Sequence, residues 1–371
     1  GLADGAPPVW ERWRERGREE GARVRENLRD GVSRALLCLG NGFLSHPDNA
    51  ALRAELSGGT ISARDFYAEL LRLIYRILFV ITLEERELLR IKGASEESLR
   101  MYASAYSFKR LRDRSLRGVE SHRPSDLWHA VRVVFRGLAF GEPRLALPQL
   151  GGLFSVEQCP RLDTASLSNR NLLLAIRGLR WAETGGGLTP VDYRNMGPEE
   201  LGSVYESLLE YEPKVELHAP DGRKFQLPGL GMEEASAGNA RKTTGSYYTP
   251  DSLVGALVKS ALEPVMERIV RENPSRPAEA LMEMSVIDPS CGSGHFLLAA
   301  ARRIAERVTA LSSADGAVGP EAYRGVLRDV VAHCIYGIDL NPLAVELARF
   351  ALWLEGYEPG RSLAFVDHHI K

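Results

Sequence analysis

Two patterns of apolar residues divide the chain, and the change between them lies near residue 243. Over the earlier part, apolar side chains recur every three to four positions, which is the spacing of an amphipathic helix. This spacing predicts helices over 24–38, 61–90, 96–107 and 125–139. The longest has a broad apolar stripe that we assign to packing, and Ser62 is placed to cap its start. Residues 1–195 are therefore predicted to form a mainly α-helical domain.

The middle of the chain has short patterns separated by glycine and proline. A helix is predicted over 169–178 and another over 198–209. Turn residues between two short apolar runs predict a hairpin from 214–217 and 224–227. Small and charged residues over 229–242 are typical of a linker. Residues 196–242 are accordingly predicted as a helix, a hairpin and a linker.

After residue 243, predicted strands alternate with predicted helices. The predicted elements are helix 251–272, strand 285–288, helix 295–311, helix 320–332, strand 334–339, helix 342–354 and a third strand that begins at 362–366. Such alternation is typical of a parallel sheet covered by helices. We therefore predict an α/β domain over 243–371, preceded by the helical domain.

Composition adds a few limits to this picture. The chain has 371 residues, which favours more than one domain, and its net charge of −2 gives no overall basic signature. Its four cysteines form no CxxC pair, so we expect no metal site, no disulfide framework and a reducing, cytoplasmic location. The most apolar run, Leu70–Leu83, is interrupted by Arg72 and Arg76 and is too short to span a bilayer, so we expect no membrane contact.

The string Asp288-Pro-Ser-Cys-Gly292-Ser-Gly294 stands between a predicted strand and a predicted helix. Glycines at such a turn let the backbone approach a ligand closely, and the helix that follows offers free N–H groups. An acid at the carboxyl end of a strand faces the crevice where ligands bind in these folds, and it accepts hydrogen bonds from a cationic amine. The whole string therefore predicts a ligand site.

Asp339 closes the next predicted strand, where a carboxylate is able to bind both hydroxyls of a ribose. Asn341 is predicted to cap the following helix, with Pro342 at its first position. Taken alone, these residues would also serve simply to start that helix. Upstream, hydroxyls and backbone amides of residues 243–250 stand just before a predicted helix. Such groups suit the binding of a carboxylate or a sugar.

In this order the three segments resemble the motifs of DNA adenine-N6 methyltransferases of the amino-terminal-motif-X (gamma) class. In that class GxxYTP comes first, DPxxGSG second, and an Asp or Glu before a helix third. The helical region more loosely resembles the front of large Eco57I-like and phage-defence enzymes. The resemblance implies a Rossmann-like α/β methyltransferase domain that acts in restriction-modification or phage defence. It also implies S-adenosylmethionine as the cofactor, and double-stranded DNA and further subunits as partners.

The resemblance also implies roles for particular residues. Asp288 would hold the methionine amino group, Asp339 would bind the ribose hydroxyls, and Tyr248 and Thr249 would border the methionine end. The implied cofactor-binding residues are Gly245, Tyr248, Thr249, Pro250, Asp288, Pro289, Cys291, Gly292, Gly294, Phe296, Asp339 and Leu340.

The catalytic tetrapeptide of the family, Asn/Asp-Pro-Pro-Tyr/Phe, does not occur in this sequence. Its acceptors take the adenine amino protons, and its aromatic ring stacks on the flipped base. We therefore assign no catalytic residue and expect the cofactor-binding front half of an enzyme, truncated before its catalytic motif. By itself this chain is expected to bind the cofactor weakly and to transfer no methyl group.

Three interpretations stay open beside this one. A nicotinamide-dependent oxidoreductase expects GxGxxG and an acid about 20 residues later, whereas Leu297 stands at the third glycine position and Asp339 lies further on. A non-catalytic cofactor-binding or DNA-binding scaffold subunit is the second. The third concerns a basic run that would either follow a phosphate backbone, as a DNA contact, or form a solvated helix end. The residues of this run are Lys109, Arg110, Arg112, Arg114 and Arg117.

Overall fold

The protein is mostly helical in the computed structural model, and the residues that the structure describes also form three small two-stranded sheets. The described residues are 9–117, 124–184, 187–197, 202, 207–220, 222–228, 249–312 and 319–371. The predicted linker 229–242 lies outside them, as do Gly245 and Tyr248. Most of the predicted helix 198–209 is outside them as well, and its last residues belong to a 3-10 helix, Ser207–Glu210.

Seven α-helices make up the described portion of the helical part, which we define as residues 9–228. They are α1 (Val9–Ser45), α2 (Ala50–Ser57), α3 (Ala63–Glu85), α4 (Glu96–Met101), α5 (Phe108–Ser115), α6 (Asp126–Phe140) and α7 (Asn169–Arg180). The helices predicted before residue 180 are confirmed, although their ends shift and the segment 96–107 divides into α4 and a π-helical turn. Helices α2 and α5 were not predicted, because eight residues are too few for a clear apolar period.

Helix α3 is the centre of the helical part. The hydroxyl of Ser62 accepts from the Asp65 backbone N–H (3.1 Å) and the Asp65 carboxylate accepts from the Ser62 N–H (2.8 Å), which confirms the predicted cap. Its apolar residues are buried around most of its circumference, as expected for a helix surrounded by others. None of the described helices is both long and apolar enough to cross a membrane.

Two antiparallel hairpins lie against the helices. Strands β1 (Trp181–Thr184) and β2 (Gly187–Pro190) form the first, which was not predicted. Strands β3 (Lys214–Val215) and β4 (Phe225–Gln226) form the second, which confirms the predicted hairpin. The Phe225 ring contacts the Phe66 ring edge-on, with 5.7 Å between centroids, and thereby attaches the second hairpin to α3.

The α/β part, residues 249–371, contains one parallel strand pair. Its elements are α8 (Asp251–Glu272), α9 (Pro277–Met282), β5 (Val286–Asp288), α10 (His295–Ser312), α11 (Pro320–Cys334), β6 (Ile335–Gly337) and α12 (Pro342–Glu355). Strands β5 and β6 pair in parallel, with Val286 opposite Ile335 and Asp288 opposite Gly337. The predicted alternation of strands and helices is confirmed as far as β6 and α12, and only α9 was missed.

The third strand predicted to begin at 362–366 is wrong. The segment that continues the sheet comes later, where Gly337 forms a parallel bridge with Ile370. The Gly337 N–H donates to the His369 carbonyl (3.0 Å), and the Lys371 N–H donates to the Gly337 carbonyl (2.9 Å). The sheet therefore grows in parallel, but from a segment several residues beyond the predicted one.

Tertiary contacts explain why residues 362–366 form no strand. The Leu363 N–H donates to the Leu150 carbonyl (2.7 Å), and the Leu363 carbonyl accepts from the Trp353 ring nitrogen (2.7 Å). Both backbone groups of Leu363 are therefore occupied by partners in the helical part and in α12. A residue whose backbone groups are occupied in this way has none left for a strand ladder.

The helical part and the α/β part share one hydrophobic core. The ring of Tyr75 on α3 stacks on the ring of Phe350 on α12, with 5.0 Å between centroids. Phe79 contacts Tyr357 edge-on at 5.7 Å, and the Tyr357 hydroxyl donates to the Leu88 carbonyl (3.2 Å). Helix α12 and the residues that follow it are therefore packed against α3 of the helical part.

Candidate functional site

The candidate site lies where β5 and β6 end, because parallel strands finish at the same edge of their sheet. We call residues 288–294 the glycine turn. The Ile338 N–H donates to the Asp288 carbonyl (2.9 Å), and the Cys291 N–H donates to the Ile338 carbonyl (2.9 Å). These backbone bonds bring the glycine turn and the segment after β6 side by side.

The Asp339 carboxylate joins these two segments. Its Oδ2 accepts from the Gly292 backbone N–H (2.9 Å), and its Oδ1 accepts from the Asn341 N–H (2.8 Å). Each oxygen of an ionised carboxylate has a second lone pair, so both are still able to accept from a ligand hydroxyl. Asn341 also caps α12, since its side chain accepts from the Leu343 N–H (3.1 Å), as predicted.

Asp288 has the more available carboxylate. Its Oδ1 accepts from the Ser290 N–H (3.0 Å), and the side chain is half-buried. Among the described residues, no hydrogen bond is formed by Oδ2. The edge of the sheet therefore offers one uncommitted acceptor, which matches the need of a cationic amine.

The two glycines of the turn serve different purposes. Both have positive φ, +52° at Gly292 and +84° at Gly294, where residues with a side chain are strained. A Cβ placed on Gly292 would meet no atom within 4 Å, so this glycine borders open space. A Cβ on Gly294 would lie 3.2 Å from the Ala348 Cβ. The second glycine is therefore required for close packing of the turn on α12.

Cys291 is buried beneath the turn. Burial raises the pKa of its thiol to about 12, with smaller contributions from the neighbouring carboxylates of Asp339 and Asp288. A thiol with this pKa is protonated near neutral pH and is a poor nucleophile. The geometry therefore gives Cys291 a packing role under the backbone of the site.

Apolar side chains are exposed at the same edge of the sheet. Leu340 is 102% exposed, Ile287 61% and Ile338 47%. Clusters of large exposed apolar side chains commonly mark surfaces that contact something else. Pro289 is also exposed, and Phe296 is half-buried at the start of α10. The edge thus combines carboxylates with apolar surface, as a ligand with both polar and aromatic groups requires.

The upstream segment is only partly described. Thr249 is half-buried and Pro250 is exposed, directly before α8. In the described part of the chain, no hydrogen bond joins either residue to the glycine turn. Whether the segment with Gly245 and Tyr248 borders the site therefore stays a prediction.

Sequence reasoning missed two supports of the site. The Arg349 guanidinium on α12 donates to the Ile370 carbonyl from Nη2 (2.6 Å) and Nε (3.1 Å), which holds the third strand segment in place. Gly202 lies beside the turn, since a Cβ there would be 3.6 Å from the Ser293 Cβ. Neither residue stands in a recognisable motif, because each is far from the turn in sequence.

The basic run lies mainly on α5, away from the glycine turn. Lys109, Arg114 and Arg117 are exposed. Arg112 pairs with Asp113, with 2.8 Å between Nη2 and Oδ1. The run is therefore a helix that keeps several cations in solvent, which fits both of the interpretations left open by the sequence.

Known proteins match the region that contains this geometry. Residues 273–366 match the family model of the MmeI DNA-methyltransferase domain. This match covers the glycine turn, Asp339 and the elements that hold them. Over these residues the chain is similar to that methyltransferase domain.

Two curated relatives agree with that match. A predicted type II restriction enzyme and methyltransferase from Methanocaldococcus jannaschii is 26% identical over 193 residues, which cover 43% of this chain and 14% of that protein. The adenine-specific methyltransferase PglX from Streptomyces coelicolor is 30% identical over 113 residues, which cover 30% of this chain and 8% of that protein. The chain thus spans a small fraction of the length of both relatives.

A solved structure is also similar. It is that of the type IIL restriction-modification enzyme MmeI in complex with DNA, with a TM-score of 0.49 and 16% sequence identity. The similarity covers 86% of this chain and 35% of MmeI.

Proposed function

We propose that this chain contains the S-adenosylmethionine-binding region of a DNA adenine-N6 methyltransferase from a restriction-modification or phage-defence system. The observation that carries the proposal is the arrangement of Asp288, Gly292 and Asp339 at the edge of a parallel strand pair. It lies within the segment that matches a DNA-methyltransferase domain. The fold we infer for this segment is the Rossmann-like α/β fold, of which the three parallel segments form part of the sheet.

The described residues fit S-adenosylmethionine. In this assignment the uncommitted Oδ2 of Asp288 accepts from the methionine ammonium, and Gly292 provides open space for close approach of the cofactor. Asp339 accepts from the ribose hydroxyls with its remaining lone pairs, and exposed Leu340 contacts the adenine ring. The other described residues that we assign to the surroundings of the cofactor are Thr249, Pro250, Pro289, Cys291, Gly294 and Phe296. Gly245 and Tyr248 are assigned to the upstream segment.

The bound cofactor supplies an electrophilic methyl group for direct transfer to the adenine N6 nitrogen. This chain would bind and orient the cofactor, and the base would be taken from a flipped position because N6 is unreachable in the stacked duplex. The tetrapeptide that accepts the amino protons in the resembling family does not occur in this sequence. We therefore assign cofactor binding to this chain and base chemistry to residues outside it.

Calorimetric titration of the folded chain with S-adenosylmethionine tests the assignment. Replacing Asp288 by Asn keeps the shape of the side chain but removes its charge, and should weaken binding about tenfold or more, the usual scale for a hydrogen bond to a charged group. Asp329→Asn on α11, whose side chain is half-exposed and distant in sequence, is the matched control. Equal affinity of Asp288→Asn and the parent chain would refute the assigned role.

Titration with NAD⁺ distinguishes the oxidoreductase interpretation from the methyltransferase interpretation. Preference for NAD⁺ over S-adenosylmethionine would favour that interpretation, whereas the reverse order supports the methyltransferase. Adenine specificity is tested by expressing the complete gene in which this sequence lies, so that residues outside this chain are present, in a host without DNA methylation. N6-methyldeoxyadenosine, detected by mass spectrometry and lost in Asp288→Asn, is expected. Methylation of cytosine instead would contradict the adenine assignment, and a folded, cofactor-binding product without methylation would favour a scaffold subunit.

A further inference from the structure

A large cleft opens in the helical part, and no residue of the glycine turn lines it. Its volume is about 1630 Å³, and its walls come from the end of α3, the α4–α5 region and the end of α7. Of the described residues, nine Lys and Arg line it against six Asp and Glu, although the whole chain has a net charge of −2. Positive charge is thus concentrated in this one concave surface, which we call the basic cleft.

Two of the acidic residues of the wall have local partners. The Glu84 carboxylate accepts from the backbone N–H groups of Phe108 (2.7 Å) and Lys109 (3.0 Å), at the start of α5. Asp113 forms its ion pair with Arg112. These carboxylates are therefore held in place, whereas the side chains of Lys109, Arg114 and Arg117 are exposed.

Arg180 is the decisive residue of the basic cleft. Its side chain lies at the end of α7, is 3% exposed, and pairs through Nη2 with Glu85. The guanidinium carbon lies 5.5 Å from the centroid of the Tyr193 ring. Its Nε and Nη1 atoms are buried, and neither forms a hydrogen bond with any residue that the structure describes. Buried donors without partners are rare in proteins because each retains an uncompensated desolvation penalty.

We propose that the basic cleft binds a phosphate group, and that Arg180 turns its Nε and Nη1 donors, which are closed to solvent in this structure, toward that group. A guanidinium presents its N–H groups as a planar fork that matches two oxygens of a phosphate. Exposed Arg114 and Arg117, which also line the cleft, contact a neighbouring phosphate or neutralise the same one. The phosphate belongs either to a free nucleotide or to the backbone of a nucleic acid. The proposal stands independently of methyl transfer.

Equilibrium binding of three probes to the full chain tests the proposal. The probes are inorganic pyrophosphate, ATP and a short single-stranded oligonucleotide. Binding of pyrophosphate and ATP assigns a free nucleotide, whereas binding of the oligonucleotide alone, with affinity that falls steeply with salt, assigns a nucleic-acid backbone. Failure of all three probes to bind at millimolar concentration would overturn the proposal and leave water as the partner of Arg180.

Substitutions then locate the site. Arg180→Lys keeps the charge but loses the fork, and should weaken binding of the effective probe about tenfold or more. Arg177→Gln is the matched control, because Arg177 is exposed on the same helix and does not line the cleft; it should change affinity less than about twofold.

If Arg180→Lys fails to fold, the double variant Arg114→Gln, Arg117→Gln tests the site instead. Both side chains are exposed, so their loss leaves the core intact. It should weaken binding of the oligonucleotide or ATP about tenfold while the melting temperature stays unchanged. Parental affinity in a folded Arg180→Lys variant, or in this double variant where Arg180→Lys does not fold, would refute the site.

Discussion

The Asp339 carboxylate accepts a hydrogen bond from the Gly292 backbone N–H at 2.9 Å, across the ends of two parallel strands. The acid that follows β6 therefore holds the turn that follows β5. The same carboxylate accepts from the Asn341 N–H and so fixes the start of α12 as well. Asp339, which the sequence predicts to bind a ribose, thus also holds the backbone around the site in place.

Replacing Asp339 by Ala should loosen the glycine turn. Loss of two hydrogen bonds to a charged acceptor is expected to lower the free energy of unfolding by about 1–3 kcal/mol. Amide hydrogen exchange should become faster at Gly292 and Asn341, and denaturant unfolding gives the free energy. Asp329→Ala is the control, since its carboxylate is half-exposed and lies 3.6 Å from the Arg361 guanidinium. Unchanged exchange at Gly292 would contradict this role of Asp339.

The two glycines of the turn should respond differently to substitution by alanine. Both variants are expected to lose about 1 kcal/mol because φ is positive at each position. Gly294→Ala should lose a further 1–3 kcal/mol, roughly the cost of overpacking, because its Cβ would press on Ala348. Gly292→Ala should instead reduce affinity for S-adenosylmethionine. Thermal unfolding and calorimetric titration separate these effects, and equal stability of the two variants would be inconsistent with the packing assigned to Gly294.

Arg76 should be among the most sensitive residues of the helical part. Its side chain is 0% exposed and donates from Nη1 to both oxygens of Asp163 (2.8 and 2.9 Å). It also donates from Nε to the Leu153 carbonyl and from Nη2 to the Ser155 carbonyl, both at 2.8 Å. Arg76→Met should lower the free energy of unfolding by about 3–5 kcal/mol, because Asp163 loses its partner.

A double-mutant cycle checks whether this loss comes from the pair. Arg76→Met combined with Asp163→Leu should be less destabilising than the sum of the two single variants, since neither charge is then left unpaired. Strict additivity of the free energies, measured by urea unfolding, would show that the pair with Asp163 does not account for the loss.

Phe350→Ala should destabilise both parts of the protein together. Phe350 is completely buried and contacts Tyr75 and Phe79 of α3, so the cavity left behind is expected to cost about 3–5 kcal/mol. Hydrogen exchange should increase in peptides of α3 as well as in peptides of α12. Phe140→Ala, at a position 60% exposed, should change stability by less than about 0.5 kcal/mol. An effect confined to α12 would mean that the shared core does not couple the two parts.

The buried thiols predict a loss of stability in alkali. Burial raises the pKa of Cys159 and Cys291 to about 12 and that of Cys334 to about 11, from an ordinary value of 9.0. The unfolded chain therefore releases these protons first, so the contribution of the three thiols to stability is constant below roughly pH 9 and is lost as the pH rises toward about 11–12. Ellman's reagent near neutral pH should label the three thiols only after unfolding. Rapid labelling of Cys291 in the native protein would contradict its burial.

Local patterns in the sequence were sufficient for most of the secondary structure. The apolar period identified α3, and the polar residues before the helices identified the caps at Ser62 and Asn341. These features depend on residues within one or two turns of each other, so they leave a signature in a short window. The same holds for the glycine turn, where strand, glycines and helix follow directly along the chain.

Only the tertiary structure decided how these pieces are used. The third strand segment lies at Ile370 and not at 362–366, because the backbone groups of Leu363 form hydrogen bonds with residues of the helical part and of α12. The tertiary structure also distinguished the roles of the two glycines, since Gly292 borders open space and Gly294 packs on α12. It also brought Arg180, which stands in no motif, to the cleft that the basic run lines. Each outcome depends on groups far apart in sequence, whose contacts follow no period and are set by which buried donors and acceptors find partners.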